Sequence, residues 1–256
     1  MGRGRGGRVP RLRTRQDHGR LRRRLPAPAR RVRRDRLHAP HPTGRRVTRF
    51  NALPGTRVFV AKDGRRVVGT VTLVQDSAVG LPMDQMYRDE LAGVRAQGRR
   101  LGEASTLTVD RAYRASGIGI LMRLYRVLSV HALGVARLDD LCMVVRPHHV
   151  RFYETFFPFR RIGPTRPYPR LEGAPFVGFR ADLRVVRAVE MPAARAGLLP
   201  GTPYEFLFAS RHYDPVLDRL RRDRPGSTLT PDQVAHFFAG HGVPEAAPAL
   251  EPALTA

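Results

Sequence analysis

Cysteine is nearly absent: Cys142 is the only one in 256 residues. A single thiol excludes an internal disulfide framework and any Cys-based metal site. Cys142 lies in the apolar run 141–145, where a core residue is expected and a reactive nucleophile is not. Neither HExxH nor a Cys/His cluster occurs, so no catalytic metal is expected. There is no G-x-x-x-x-G-K-[ST], which removes the phosphate loop of nucleotide hydrolases. No signal-peptide core and no apolar run of eighteen residues is evident, so a soluble, cytoplasmic protein without a membrane span is expected. The chain also lacks internal repeats. Lysine is as rare as cysteine, since Lys62 stands alone among 46 basic residues.

Acidic residues number 22, leaving a formal charge of +24. Such an excess suggests a nucleic-acid binder, but its location argues otherwise. Residues 1–49 hold 18 arginines against Asp17 and Asp35, so sixteen of the excess charges sit there. That segment has no hydrophobic periodicity. It cannot bury enough apolar surface to offset its ordering entropy, and disorder is expected. A basic arm on nucleic acid, an organelle transit peptide and a misassigned or frame-shifted start are three readings of it. Arginine in place of lysine, with abundant Ala, Gly, Pro and Val, is the mark of GC-rich coding and favours the third. Nucleic acid is therefore not the expected partner. A G-x-G-x-x-G from Gly2 to Gly7 follows no strand and is set aside.

From residue 50 the pattern becomes that of a packed domain. Residues 57–61 and 66–74 read as a hairpin around a turn at 62–65. Leu81 and Pro82 open a helix in which Met83, Met86, Tyr87, Leu91 and Val94 recur at helical spacing. That stripe is core packing, or core packing that also lines a substrate channel. Residues 101–109 are the next strand, followed by glycines and a long apolar helix over 118–133. A buried strand covers 138–145, and Pro147 starts a helix over 148–156. Two closing strands cover 159–163 and 175–183. Beyond Arg184 the clearest element is Thr230-Pro231-Asp232-Gln233 ahead of Val234, Phe237 and Phe238, a capping box that starts a short helix. The tail from Gly242 should fray.

Between strand 101–109 and the long helix lie Arg114, Ala115, Ser116, Gly117, Ile118 and Gly119. A strand that turns into a helix leaves the first helical amides without intrahelical partners. Those amides, with the positive end of the helix dipole, form a phosphate site. Gly117 and Gly119 remove Cβ atoms where a phosphate would approach. The R-x-x-G-x-G order resembles the acyl-carrier loop of the GNAT acyltransferase superfamily.

A wider set of residues carries a closer resemblance: Val68-Gly69-Thr70, Gly80-Leu81-Pro82-Met83-Asp84, Glu103-Ala104-Ser105-Thr106-Leu107 and Pro147-His148-His149-Val150-Arg151-Phe152-Tyr153. Over residues 56–183 the chain resembles the N-acyl amino acid synthase branch of GNATs, related to acyl-homoserine lactone synthases. The resemblance implies an α/β, GNAT-like fold: a mixed, mostly antiparallel sheet flanked by helices. It divides the chain into a disordered Arg-rich segment 1–49, an acyltransferase domain 50–183 and a small helical C-terminal appendix 184–256. Members of the branch carry a strand and helices ahead of the first hairpin. Here these would fall in 1–49, which implies a truncated domain or a wrong start.

The implied activity is transfer of a fatty acyl chain from acyl carrier protein to the amine of an amino acid. The donor is a phosphopantetheine thioester, acyl carrier protein or coenzyme A, with no permanently bound cofactor. Arg114, Ala115, Ser116, Gly117, Ile118 and Gly119 would hold its phosphates. Arg111, Arg114 and Arg123 would form a positive rim suited to an acidic carrier.

Amine acylation needs a deprotonated amine, a polarised carbonyl and a proton for the leaving thiolate. On an alternating strand Glu103 and Ser105 share a face with Leu107 and Val109. A carboxylate on so apolar a face has its charged form disfavoured and moves toward general-base strength. Base, amine binder and structural ion pair remain open for Glu103. His149 and Tyr153 lie four residues apart on one helix face. The resemblance makes Tyr153 the acid for the thiolate, against a structural anchor. His149 would position the acceptor or Tyr153, or is a solvated helix-end residue. An ordinary acetyl-coenzyme A N-acetyltransferase and a truncated non-catalytic relative are the alternative functions.

Overall fold

The computed structural model describes residues 12–14 and 48–223. The expected helix after Thr230, the tail from Gly242 and most of the Arg-rich segment lie outside them.

Within that segment β1 (Leu12–Thr14) pairs antiparallel with β2 (Arg57–Asp63), which corrects the expectation of disorder at those three residues. A turn of 3-10 helix, Arg49–Ala52, puts Phe50 and Ala52 into the core. β2 and β3 (Arg66–Gln75) form the expected hairpin around Gly64 and Arg65. β3 is buried from Val68 to Val74, as a central strand covered on both faces must be.

Helix α1 (Asp84–Arg95) buries Met86, Tyr87, Leu91 and Val94, the stripe read from the sequence. Its first turn is tied back by Asp84, which accepts from the Leu81 N–H at 2.6 Å. Its last turn is tied by Arg95, whose guanidinium holds both Asp76 and Asp84.

β4 (Leu101–Val109) runs through a 3-10 turn, Arg111–Ser116, into α2 (Gly117–Val130) and a widened turn, His131–Val135. Ile118–Val135 is long and apolar enough, at a mean hydropathy of 1.4, to cross a membrane by length and composition alone. The sequence expectation had overlooked this stretch because Arg123 and Arg126 interrupt it. More than half of it is buried inside the fold, with Leu124, Leu128, Val130 and Ala132 in the core.

β5 (Asp140–Val145) leads through Pro147–His149 into α3 (Val150–Phe156). Three strands follow: β6 (Phe159–Arg161), β7 (Arg166–Tyr168) and β8 (Ala174–Asp182). The sequence showed no sign of β7, a three-residue strand containing Pro167. The sheet order is β1-β2-β3-β4-β5-β8-β6, with β7 also on β8. Only β4 and β5 are parallel.

The region after residue 183 holds more structure than the sequence suggested. α4 (Leu183–Val185) passes through a widened turn, Val186–Glu190, into α5 (Met191–Arg195). α6 (Pro203–Phe208) and α7 (Ser210–Arg222) follow. Leu183, Val186, Ala194, Leu207, Phe208, Tyr213 and Leu220 share one core cluster with α2, α3 and the adjoining sheet face. On the other face α1 packs with Phe50, Leu53, Tyr168 and Phe176. β5 alternates cleanly between the two clusters, Leu141, Met143 and Val145 to one and Cys142 to the other. Each large apolar side chain buried this way contributes about 1.5–3 kcal/mol.

Two features set β4 apart. Thr106 has φ +51°, a left-handed conformation that is strained for a β-branched residue. Here β4 bulges: Thr72 pairs with Ser105, but Thr70 pairs with Thr108. Thr72 Oγ1 and Thr106 Oγ1 are hydrogen-bonded at 2.7 Å across the bulge. The extra residue reverses the alternation, so Ala104, Leu107 and Val109 all pack on the α2 side. This corrects the expectation that Leu107 and Val109 share a face with Glu103. The second feature is the pairing with β5, which stops at Glu103 and Cys142 although both strands run on. Beyond that point they part.

The paired end of β4 and β5 is clamped by charge. Asp140, fully buried, takes guanidinium hydrogen bonds from Arg99 and Arg180, and Arg99 also reaches Asp182. Asp140→Ala would leave Arg99 and Arg180 facing each other without that counter-charge. We expect a loss of about 3–5 kcal/mol in urea unfolding at unchanged m-value. A loss under about 1 kcal/mol would show that the clamp does not hold the strands together.

Candidate active site

The C-terminal ends of two adjacent parallel strands are where open α/β sheets build ligand crevices. β4 and β5 both end at the side where they part. The turn after β4 begins α2, and the turn after β5 begins α3, so two helix starts flank the fork. α2 opens on Gly117, Ile118 and Gly119, directly after the 3-10 turn Arg111–Ser116. A Cβ built on Gly119 would meet no atom within 4 Å. Ile118 is 59% exposed, on a helix that buries Ile120, Leu124, Val127, Leu128 and Val130. Arg114, Ala115 and Ser116 belong to the 3-10 turn just before it.

Glu103 stands at the last paired position of the fork, opposite Cys142. It is 1% exposed, and its carboxylate accepts from the Met83 N–H at 2.8 Å. Burial pushes its carboxyl up to about 8; the Met83 amide pulls the other way and the Asp84 charge adds to the rise. No guanidinium reaches it among the described residues, so the ion-pair alternative finds no support there. The Cys142 thiol behind it is pushed up by burial, with the Glu103 charge adding to that. It is not set up as a nucleophile.

Tyr153 lies on α3, on the opposite sheet face, within the cluster that contains α2. Its hydroxyl is 2.5 Å from that of Tyr125 on α2. Burial raises its pKa, and the hydrogen bond with Tyr125 opposes that rise. His149 ends the turn before α3 and is exposed, with its ring 4.0 Å from that of His148. Helical spacing puts it one turn from Tyr153, but Tyr153 points into the core. Glu103 and Tyr153 therefore lie on opposite faces of the sheet, Glu103 at the fork and Tyr153 in the aromatic cluster beside α2.

Sequence reasoning had singled out neither Tyr125 nor the Met83 amide as part of the site. Met83 had been read only as part of a core stripe and of the family resemblance. Tyr125 is one aromatic residue in an apolar helix, and its partner lies 28 positions on. Among the described residues no three His, Cys, Asp or Glu side chains gather as a metal site.

Comparison with known proteins follows from this geometry. A family model, N-acyl amino acid synthase FeeM, matches residues 30–182. That match begins well inside the Arg-rich segment. The solved structure of FeeM, an N-acyl amino acid synthase from uncultured soil microbes, is 25% identical. It superposes with a TM-score of 0.56, covering 70% of this chain and 93% of FeeM. BjaI, a coenzyme A-dependent acyl-homoserine lactone synthase, is 18% identical at a TM-score of 0.41, covering 79% of this chain and 81% of its own. The acyl-homoserine lactone synthase LasI is 16% identical at 0.41, covering 50% and 64%. No curated protein sequence matches.

Raising a buried carboxyl's pKa has a consequence for stability. Between its ordinary 4.5 and about 8 the native Glu103 keeps a proton that the unfolded chain releases, so stability falls as pH rises through this window. Glu103→Gln cannot titrate. The variant should gain melting temperature over wild type progressively from about pH 5 to about pH 8.5, and match it near pH 4. Parallel curves for the two proteins would show that the carboxyl is not raised.

Proposed function

The chain belongs to the N-acyl amino acid synthase FeeM family, and from that premise we propose that it moves a long acyl chain from acyl carrier protein to the amine of an amino acid. It is an N-acyltransferase. The observation that carries the finer reading is a carboxylate of raised pKa buried at the fork of the two parallel strands.

The donor's phosphopantetheine lies along the fork with its phosphate on the amides of Gly117, Ile118 and Gly119. The positive helix end and the absent Cβ at Gly119 favour this placement. Its thioester then sits between β4 and β5. The acceptor approaches from the α1 face, where Glu103 takes a proton from the amine. The amine attacks the carbonyl carbon, the C–N bond forms, and the C–S bond breaks toward sulfur. Tyr153 gives the thiolate its proton from the other side. His149, at the mouth of the fork, meets the part of the acceptor that extends to solvent. A base with a pKa of about 8 requires the rate to rise with pH through that value.

The test is product formation by mass spectrometry. Purified chain is offered an amino acid pool with long-chain acyl carrier protein, long-chain acyl-coenzyme A or acetyl-coenzyme A. N-acyl amino acids should form from the first donor fastest. Transfer from acetyl-coenzyme A alone would overturn the reading in favour of an acetyltransferase, and preference for long-chain acyl-coenzyme A would overturn the carrier-protein assignment. Glu103→Gln should lower the rate by roughly 10²–10⁴ and abolish the acidic limb of the pH profile. Wild-type activity in this variant would remove Glu103 as the base. Gly119→Val fills the open space before α2, so the donor KM should rise about tenfold with the melting temperature unchanged. An unchanged KM in a folded variant would take the phosphate away from this loop.

A further inference from the structure

The proton given to the leaving thiolate must come from a group whose conjugate base the protein can hold. Tyr153 is enclosed by the rings of Phe152, Phe157, Phe159 and Phe179, none of which stabilises a phenolate by hydrogen bonding. Its one polar neighbour from α2, α3, β6 or β8 among the described residues is Tyr125. The two hydroxyl oxygens are 2.5 Å apart, and the rings meet edge to face with centroids 6.1 Å apart.

Two phenols hold two protons but share one hydrogen bond. One hydroxyl donates; the other accepts and keeps an O–H that meets no second acceptor among the described residues. A buried hydroxyl left in that state is costly unless something else accepts from it. Tyr125 sits in the middle of α2, 3% exposed, with Tyr153 as its hydrogen-bond partner. Tyr153 sits on the helix that starts at the fork and is the less enclosed of the two, at 6%. The proposed role of Tyr153 as the acid requires the free O–H to be the one on Tyr153, with Tyr125 as the donor of the shared bond.

We infer that Tyr125 is a positioning residue for acyl transfer, its hydroxyl donating to Tyr153 Oη so that the Tyr153 proton stays available to the thiolate. The inference rests on Tyr153 being the acid. When the C–S bond breaks, its electron pair stays on sulfur and the Tyr153 proton moves to it. The phenolate left behind accepts the Tyr125 hydrogen bond until water returns a proton. The surplus proton of the amine leaves through Glu103. Burial alone raises the pKa of Tyr153, and the bond from Tyr125 works against that rise. Losing the bond should therefore move the titration of Tyr153 to higher pH.

The experiment compares Tyr125→Phe, Tyr153→Phe and the double variant in the full chain, using whichever long-chain acyl thioester the wild type turns over. Each change removes only a hydroxyl, and melting temperatures verify folding. Tyr125→Phe should lower kcat about tenfold, leave the donor KM unchanged and move the basic limb of the pH profile upward. Tyr153→Phe should abolish that limb, and the double variant should match Tyr153→Phe. An NMR titration of ¹³C-tyrosine reads the same displacement without turnover, as a higher pKa for Tyr153 in Tyr125→Phe. If Tyr153→Phe is impaired while Tyr125→Phe keeps both its rate and its limb, the inference fails and the acid stands. A slower Tyr125→Phe enzyme with an unmoved limb and unmoved Tyr153 titration also overturns it, since packing alone would do that. If Tyr153→Phe is as active as wild type, the acid itself is misassigned and the inference falls with it.

Discussion

The bulge at Thr106 is the constraint on which the rest of the fold's active end depends. A threonine held at φ +51° costs energy that an ordinary strand would avoid, roughly 1–3 kcal/mol. The hydrogen bond to Thr72 and the pairing with β3 on either side keep it there. Pairing with the parallel neighbour stops three residues before the bulge, at Glu103 and Cys142. Sheets ordinarily close every such gap, because unpaired strand edges attract other strands. Here the gap opens between two helix starts and beside a buried carboxylate. The closed end is fixed by Asp140 with Arg99 and Arg180, so the strands are pinned at one end and free to diverge at the other.

In the proposed mechanism the same parting lets groups on two faces of one sheet serve one reaction. Glu103 belongs to the α1 side, with Met83; Tyr153 belongs to the α2 side, with Tyr125. In the proposed mechanism a thioester lying in the gap would present its carbonyl to one and its sulfur to the other. Both groups are buried, and burial acts on each in the same sense, favouring the protonated form. That suits Tyr153 as a donor at neutral pH. As the proposed base, Glu103 would act only once pH approaches about 8 or a cationic amine arrives to favour its charge.

Much of this was legible in the chain. Strand β4 was read at its observed limits, and the Met86, Tyr87, Leu91 and Val94 stripe of α1 was visible because helical spacing repeats over three turns. What escaped shares one property: it depends on partners far away in sequence. Nothing local marks Thr106 as left-handed, since threonine favours extended strands; Thr72 and the register with β3 impose it. Asp140 opens a strand and looks like a surface charge until Arg99, 41 residues earlier, folds over it. The region after residue 183 was expected to be helical, but the limits of its helices were not legible, since the burial of Val186, Leu207, Phe208 and Tyr213 comes from packing onto the α2 side of the sheet. β7 is too short to carry any period. The Arg-rich composition misled in another way, since it drew attention to charge in a segment within which the family match begins at residue 30.

The most direct measurement is a crystal structure of the chain with a non-hydrolysable long-chain acyl-phosphopantetheine thioether. Its sulfur should lie between β4 and β5 beyond Glu103 and Cys142, within hydrogen-bond reach of Tyr153 Oη. Its phosphate should rest on the amides of Gly117, Ile118 and Gly119. A thioether bound elsewhere, with the fork closed or filled by side chains, would contradict the assignment of the parted strands as the site of acyl transfer.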